Sequence, residues 1–192
     1  NTVGQKILFL QTPCRGGKLI LKFTIIYIIQ VMKKITLRKP RVNDKKYFAR
    51  WWRDTDLLRL TSGILKSITD REVEKYFIAL LRSKKNHHFM ILLRNKPIGH
   101  VSLSKRKGNR YETQIVIGEK QHWNKGYGTY AIELLIKKAK TLGISKVYLE
   151  VRPTNKRAIN AYKNCGFKKI DIKRNPKNKY LPKAIIMELR HS

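Results

Sequence analysis

The sequence predicts an α/β protein with a single mixed, mostly antiparallel sheet of six to seven strands, flanked by about four helices. Two observations carry this prediction. Between residues 89 and 117, three short apolar runs are separated by the turns Asn95-Lys96-Pro97 and Lys107-Gly108-Asn109, which is typical of antiparallel hairpins. From residue 115 onward, strands alternate with amphipathic helices, which places helices against the sheet. The sequence has no internal repeat and no linker in this region, so one domain is predicted.

The first half of this domain contains two amphipathic helices. Either Asn43 or Asp44 caps the first one, since both residue types accept hydrogen bonds from exposed backbone N–H groups. Thr69-Asp70-Arg71-Glu72 matches a capping box and predicts the start of the second. Residues 54–67 are polar and are predicted to be irregular. The apolar residues recur at helical spacing: Tyr47, Phe48, Trp51 and Trp52 in the first helix; Val73, Tyr76, Phe77, Leu80 and Leu81 in the second.

Seven strands and two further helices complete the prediction. A helix over residues 129–142 ends at Gly143, where a left-handed C-terminal cap belongs. Another helix covers residues 155–164 and is followed by Gly166. The predicted strands are residues 35–38, 89–93, 98–103, 111–117, 146–151, 167–172 and 184–189.

The composition is strongly basic, with 44 Lys and Arg against 12 Asp and Glu and a net charge of +32. Such a charge attracts nucleic acid, anionic membranes and phosphorylated small molecules. A Lys-rich proteome produces the same excess without any function, and both interpretations stay open. The two cysteines, Cys14 and Cys165, form neither a disulfide framework nor a metal-ligand spacing. The expectation is therefore a cytoplasmic protein without a metal.

Residues 1–31 differ from the rest of the chain, because they contain no acidic residue and no capped helix or strand. The apolar run at residues 19–31 is shorter than the roughly 20 residues that a spanning helix needs. Met32 is interpreted as the natural initiator methionine. We therefore predict that residues 1–31 are an upstream or non-native, poorly structured extension and that the domain covers residues 32–192. A weak membrane anchor is the alternative.

The chemically informative stretch runs from Ile115 to Phe167. A strand, the loop Trp123-Asn124-Lys125-Gly126-Tyr127-Gly128 and a helix follow one another, as in a phosphate cradle. Glycines let the backbone approach a ligand, and free N–H groups at a helix start face an anion. A simple tight turn uses glycines equally well. The spacing matches neither the dinucleotide fingerprint nor the Walker loop.

Two segments together resemble the GNAT superfamily of acetyl-CoA-dependent N-acetyltransferases. The loop WNKGYGTYA, which begins at Trp123, is similar to the acyl-CoA pyrophosphate loop in the form seen in enzymes that acetylate ribosomal-protein N-termini. The pattern N-x-x-A-x-x-x-Y-x-x-x-G-F, which begins at Asn155, resembles the second signature. The resemblance covers residues 35–189 in element order and residues 112–167 in detail. Asn124 departs from it, where the family usually has Gly or Arg.

The resemblance implies a sheet whose fourth and fifth strands splay apart, so that the pantetheine arm of acetyl-CoA pairs with the open edge. It implies that one backbone N–H at this edge polarises the thioester carbonyl. Asn155 either contacts CoA or only caps its helix. The implied co-substrate-binding residues are Ile115, Val116 and Ile117 for the thioester, and Lys125, Gly126, Tyr127, Gly128 and Thr129 for the diphosphate.

Catalysis in such an enzyme requires a neutral amine, so a base or a water relay takes the amine's proton. Glu112 on the fourth strand is our first candidate for the base; a surface glutamate facing a lysine is the alternative. Glu119 and His122 are lesser candidates. Tyr162 is expected to stabilise the leaving thiolate through its hydroxyl, unless it is a core tyrosine. Cys165 is expected to be a small packed residue.

The predicted function is N-acetyl transfer from acetyl-CoA to a primary amine of a small molecule or a protein N-terminus. The alternative is a non-catalytic nucleic-acid- or ribosome-binding protein on the same scaffold, and the basic surface is compatible with non-specific association of that kind. The net positive charge of the protein disfavours binding of polycationic acceptors. Asp54, Asp56 and Glu72 would favour such binding locally if they face the acceptor. We expect no membrane span and a monomer or homodimer.

Overall fold

A seven-stranded sheet forms the centre of the fold. The computed structural model describes residues 35–61 and 65–190, which belong to the unit Lys34–Ser192. Across the sheet the strands lie in the order β1-β2-β3-β4-β5-β7-β6, and every neighbouring pair is antiparallel except β4–β5. The mixed, mostly antiparallel sheet is therefore confirmed. The strands are β1 (Ile35–Arg38), β2 (His87–Leu93), β3 (Lys96–Arg106), β4 (Arg110–Ile117), β5 (Lys146–Val151), β6 (Lys168–Arg174) and β7 (Lys183–Arg190).

Five α-helices are present in the described residues, one more than the sequence predicts. They are α1 (Lys45–Trp51), α2 (Thr55–Thr61), α3 (Asp70–Arg82), α4 (Tyr127–Thr141) and α5 (Lys156–Asn164). The prediction of irregular structure is wrong for α2. The Asp54 carboxylate caps this helix, accepting hydrogen bonds from the N–H groups of Asp56 and Leu57 at 3.0 and 3.1 Å. Asp54 is the signal from which the helix could have been predicted.

The predicted helix caps are found at α3 and α4. Thr69 and Glu72 form the capping box reciprocally, and each side chain accepts from the other's backbone N–H. Helix α4 begins two residues earlier than predicted, because Gly126 serves as its N-cap with φ 77°. Gly143 follows its end with φ 69° and donates to the Lys140 carbonyl at 3.0 Å.

Strands β4 and β5 are paired only at one end. Tyr111 pairs with Val147 and Glu112 with Tyr148, and beyond these residues the two strands separate. On its other side, β4 pairs with β3 from Arg110 to Ile117. A Cβ atom at Gly99 of β3 would lie 2.2 Å from the Val116 carbonyl oxygen, so glycine permits this close approach. Strand β4 is therefore fixed along one edge and open along the other, as the resemblance implies.

The core beside α1 accounts for the tryptophan pair. Trp51 is buried with Phe48, Phe77 and Met90, and Trp52 packs against the same cluster. A Cβ at Gly118 would lie 2.2 Å from the Trp51 ring, so Gly118 makes room for it. The two tryptophans thus serve the core, and neither lines the cavity described below.

The first residues of the chain carry predictions that lie outside the described residues. These are the extension over residues 1–31 and the start at Met32. In the described part of the chain, no helix has the length and hydropathy that crossing a membrane requires.

Candidate active site

A cavity of about 370 Å³ opens where β4 and β5 separate. Its walls come from β4, β5 and the N-terminal ends of α4 and α5, with α2 on one side. The structure brings all of the predicted site residues onto this cavity: Glu112, Ile115, Val116, Ile117, Lys125, Gly126, Tyr127, Gly128, Thr129, Asn155 and Tyr162.

The loop before α4 is held to its neighbours on both sides. The Trp123 indole N–H donates to the Ile117 carbonyl oxygen at 2.7 Å, which ties the loop to the end of β4. The Arg157 guanidinium lies 4.6 Å from the centre of the Trp123 ring, a cation–π contact from α5. Asn124 and Gly126 have φ of 59° and 77°, and they turn the chain into the first turn of α4. The helix N-terminus therefore presents its backbone N–H groups to the cavity.

Neither the backbone conformation nor the packing around Gly128 requires a glycine. Its φ lies outside the left-handed region, and a Cβ added there would find only the Ile117 Cγ1 atom, at 3.8 Å. That distance is an ordinary van der Waals contact. The absent side chain therefore leaves open space at the helix start, and Gly128 lines the cavity.

Tyr162 on α5 is buried, at 6% exposure, and lines the cavity. Its ring packs edge-on against Phe167 at 5.6 Å. Burial raises the pKa of its phenol well above its usual value, and the neighbouring Cys165 adds to the effect. Within the described residues its hydroxyl has no hydrogen-bond partner. At neutral pH it is therefore a protonated donor facing the cavity.

Two neighbours of Tyr162 have structural contacts. Asn155 is the N-cap of α5, since its side-chain oxygen accepts from the Ala158 N–H at 3.2 Å. It also lines the cavity, so both predicted roles are geometrically available. The Cys165 thiol approaches the Thr129 carbonyl oxygen at 3.5 Å, and burial raises its pKa to about 11. A thiol with that pKa is a poor nucleophile at neutral pH, which favours the packed role.

Glu112 faces Arg106 across the hairpin of β3 and β4. Arg106 Nη2 and Nε lie 2.6 and 2.8 Å from the same carboxylate oxygen, Oε2. The Glu112 side chain is 28% exposed and lines the cavity. Its partner is thus an arginine rather than the lysine considered in the alternative. Arg106 was not predicted from the sequence, because its contact with Glu112 depends on the register of the β3–β4 hairpin, in which Ser104 lies opposite Glu112.

The lesser base candidates differ in their surroundings. Glu119 forms an ion pair with Arg50 and accepts a hydrogen bond from the Trp51 indole N–H at 3.1 Å. Its carboxylate is therefore held against helix α1. His122 lines the cavity and lies edge-on to Tyr127 at 5.6 Å. Burial, with Lys125 nearby, lowers the pKa of His122, which keeps the imidazole neutral at pH 7.

The local acids considered as attractors of a polycation already have partners. Lys120 Nζ lies 2.9 Å from an Asp54 oxygen and 2.6 Å from an Asp56 oxygen. Glu72 is used in the α3 capping box. These carboxylates therefore stabilise helix starts and a loop rather than facing an acceptor.

A splayed sheet with a glycine loop at a helix start and a tyrosine opposite it defines the acetyltransferase class that the sequence motifs resemble. The chain belongs to the GNAT acetyltransferase family: the acetyltransferase (GNAT) domain model matches residues 34–168.

Relatives by sequence are an uncharacterised protein of Methanocaldococcus jannaschii and the ribosomal protein bS18-alanine N-acetyltransferase of Salmonella typhimurium. The first is 27% identical over 140 residues, which is 71% of this chain and 28% of that protein. The second is 35% identical over 88 residues, which is 40% of this chain and 60% of the enzyme. The matches thus span less than two thirds of either relative.

Solved structures share the fold. A spermidine N-acetyltransferase from Vibrio cholerae, in complex with CoA and spermine, has a TM-score of 0.72 at 21% identity and covers 82% of this chain and 96% of its own. The AAC(6')-Ib structure with ribostamycin and coenzyme A has a TM-score of 0.70 at 18% identity, covering 82% and 94%.

Proposed function

We propose that this protein transfers an acetyl group from acetyl-CoA to a primary amine by direct attack of the amine on the thioester. The observation that carries the proposal is the cavity between β4 and β5, on which the open strand edge, the α4 N-terminus and Tyr162 meet. Acetyl-CoA supplies the activated acetyl group. Complexes of related folds with CoA, among them the spermidine N-acetyltransferase, support this co-substrate.

The helix start is suited to the diphosphate of acetyl-CoA. Backbone N–H groups from Gly126 to Thr129 point toward an anion, and the helix dipole adds a favourable field. Lys125 adds a positive charge at the cavity wall. The space left by Gly128 lets phosphate oxygens come close to the backbone.

The unpaired edge of β4 is suited to the pantetheine arm and the thioester. Backbone groups at Ile115, Val116 and Ile117 lie beyond the last residue pair with β5. A backbone N–H there donates to the thioester carbonyl, whose oxygen gains negative charge as the amine attacks. The Ile117 carbonyl is already occupied by Trp123.

Proton transfer completes the chemistry. The new C–N bond forms as the C–S bond breaks, and the amine must lose a proton. Glu112, directly or through water, is our proposed acceptor of that proton, and His122 is the second candidate because it is neutral and lines the cavity. Tyr162 donates a hydrogen bond to the departing sulfur, and its raised pKa favours such donation over full proton transfer.

A non-catalytic nucleic-acid-binding function is less well supported. Binders of single strands interleave basic residues with exposed aromatic rings. Here Trp51 and Phe48 are buried, and Trp123 packs against Arg157 at the cavity. Tyr76 and Tyr180 are exposed but lie on separate segments of the chain. The net charge of +32 remains compatible with non-specific association.

The test is to measure both binding and turnover. Acetyl-CoA at 100 times its dissociation constant is expected to stabilise the full chain by about 2.7 kcal/mol in thermal unfolding. Thiol release in the presence of a panel of primary amines is expected to exceed acetyl-CoA hydrolysis without them. Stabilisation without amine-dependent thiol release would contradict the transfer, and no stabilisation would contradict the co-substrate.

A further inference from the structure

A second, open cleft adjoins the main cavity. It is formed by Glu150, the end of β6 and the segment that joins β6 to β7, and we call it the loop cleft. Glu150 and Leu181 line both the loop cleft and the main cavity, so the two are adjacent.

The loop cleft is strongly basic. It is lined by Lys173, Arg174, Lys177 and Lys179, with Glu150 as its one carboxylate. Lys173 Nζ already faces that carboxylate at 2.9 Å. The other three cations form no ion pair with any residue that the structure describes. An excess of positive charge therefore remains for a ligand.

The segment that carries these lysines is held in place by its own hydrogen bonds. The Asn178 side-chain oxygen accepts from the N–H groups of Tyr180 and Leu181, both at 3.0 Å. Asn175 N–H donates to the Pro182 carbonyl at 2.7 Å, which closes the base of the loop. Arg152, which lines the main cavity, donates to the Tyr180 carbonyl. The cleft is thus a shaped surface beside the reaction site.

The main cavity offers little to a polycation. Its two acidic residues are Glu112, which faces Arg106, and Glu150, which faces Lys173. Each carboxylate already has a basic partner, so little uncompensated negative charge remains for a cationic acceptor. An anionic group on the acceptor would instead meet the uncompensated charge of the loop cleft.

We propose that the acceptor is a small amine that also carries a phosphate group, with the phosphate bound in the loop cleft and the amine in the main cavity. This inference rests on the proposed function, because it assumes that an acceptor amine occupies the main cavity. Lys177 and Lys179 supply the charge-assisted hydrogen bonds to the phosphate.

The experiment compares matched acceptors that differ only in the phosphate: O-phosphoethanolamine with ethanolamine, and glucosamine 6-phosphate with glucosamine. Binding to the full chain is measured by calorimetry at saturating CoA, which occupies the co-substrate site without allowing turnover. The phosphorylated member of at least one pair is expected to bind at least tenfold more tightly. The Lys177→Glu, Lys179→Glu double variant is expected to lose that preference.

The matched control is the Lys84→Glu, Lys85→Glu double variant, which makes the same charge change at exposed positions lining neither cavity. It is expected to keep the preference. Equal affinities within both pairs, or no binding of any of the four amines, overturn the proposal. The proposal is also overturned if the Lys177→Glu, Lys179→Glu double variant loses as much affinity for CoA as for the phosphorylated amines. The loop cleft would then bind a phosphate of CoA. Amine-dependent thiol release without a phosphate preference overturns this inference and leaves the proposed function standing.

Discussion

Arg106 and Glu112 face each other across the β3–β4 hairpin, with Arg106 Nη2 2.6 Å from Glu112 Oε2 at the wall of the cavity. Both guanidinium contacts go to the same oxygen. The pair orients the carboxylate toward the site without occupying its second oxygen, Oε1. This geometry suits a group that accepts a proton directly or through a water molecule.

Replacing Glu112 by Gln tests whether it is the base. If it accepts the amine's proton, turnover at pH 7 is expected to fall by about 10²-fold, within the usual range for general-base catalysis. The loss is expected to shrink as the pH approaches the amine's own pKa, because the neutral amine then no longer needs the enzyme's base. The measurement is kcat/KM against pH for both proteins.

The control for this experiment is Asp171→Asn, which removes an exposed carboxylate from β6, outside both cavities. It is expected to leave the pH profile unchanged. A Glu112→Gln profile parallel to that of the unmodified protein would assign Glu112 a structural role beside Arg106. His122 would then be the next base to test.

Substitutions at Gly128 can change acetyl-CoA binding without disturbing the fold, because the fold has room for a Cβ atom there. Gly128→Ala meets only Ile117 Cγ1 at 3.8 Å, so the protein is expected to stay folded and to gain up to about 1 kcal/mol of helix stability. Acetyl-CoA affinity is nevertheless expected to fall, because the Cβ occupies the space proposed for the phosphates. Calorimetric titration with acetyl-CoA and thermal unfolding measure the two effects.

Gly128→Asp extends that comparison with a negative charge at the same position. Acetyl-CoA affinity is expected to fall at least tenfold below that of Gly128→Ala, since the carboxylate repels the diphosphate in a low-dielectric cleft. Circular dichroism serves as the check of folding. Folded Gly128→Asp protein that binds acetyl-CoA normally would place the diphosphate elsewhere.

Tyr162→Phe isolates the hydroxyl from the ring. The ring packs against Phe167 and is buried, so the phenylalanine keeps the packing and the protein is expected to stay folded. Turnover is expected to fall about 10–100-fold with little change in acetyl-CoA affinity, because the hydroxyl acts mainly on the developing thiolate. Steady-state kinetics with single-turnover confirmation of the chemical step measure this.

The leaving group provides the control for Tyr162. An acyl donor whose thiol has a lower pKa needs less stabilisation, so the difference between Tyr162→Phe and the unmodified protein is expected to narrow with it. Equal turnover of the two proteins with acetyl-CoA, at a rate limited by chemistry, would make Tyr162 a core residue only.

Local chemistry explains which parts of this molecule could be predicted from its sequence. The Thr69 capping box and Gly143 were predictable because each acts within a few residues of the chain. Helix α2 was not predicted because it is only seven residues long and its apolar pattern is too short to recognise, although Asp54 caps it. The Arg106–Glu112 pair and the loop cleft were missed because they depend on strand register and on the meeting of distant segments.

A stacked histidine pair lies on the neighbouring strands β2 and β3. His88 Nδ1 and His100 Nε2 are 3.3 Å apart, and Phe48 lies edge-on to the His100 ring at 4.9 Å. Burial lowers the pKa of His88 to about 4 and that of His100 to about 3; His87 is a lesser cause for His88, and His88 is a lesser cause for His100. One ring donates to the other, and protonation of both rings would remove the acceptor and bring two positive charges together.

This pair predicts a loss of stability in mild acid. Both histidines have a pKa near 6.5 when unfolded, so the unfolded chain takes up protons that the folded chain does not, and stability present above pH 6.5 declines as pH falls toward the folded values. Between pH 6.5 and 5 the expected loss is about 2–3 kcal/mol, allowing for the partial exposure of His88. Urea unfolding at a series of pH values measures it. The His88→Gln, His100→Gln double variant is expected to show a flatter profile over this range, whereas an equally steep profile would assign the acid sensitivity to His87 and His122, whose pKa values burial also lowers.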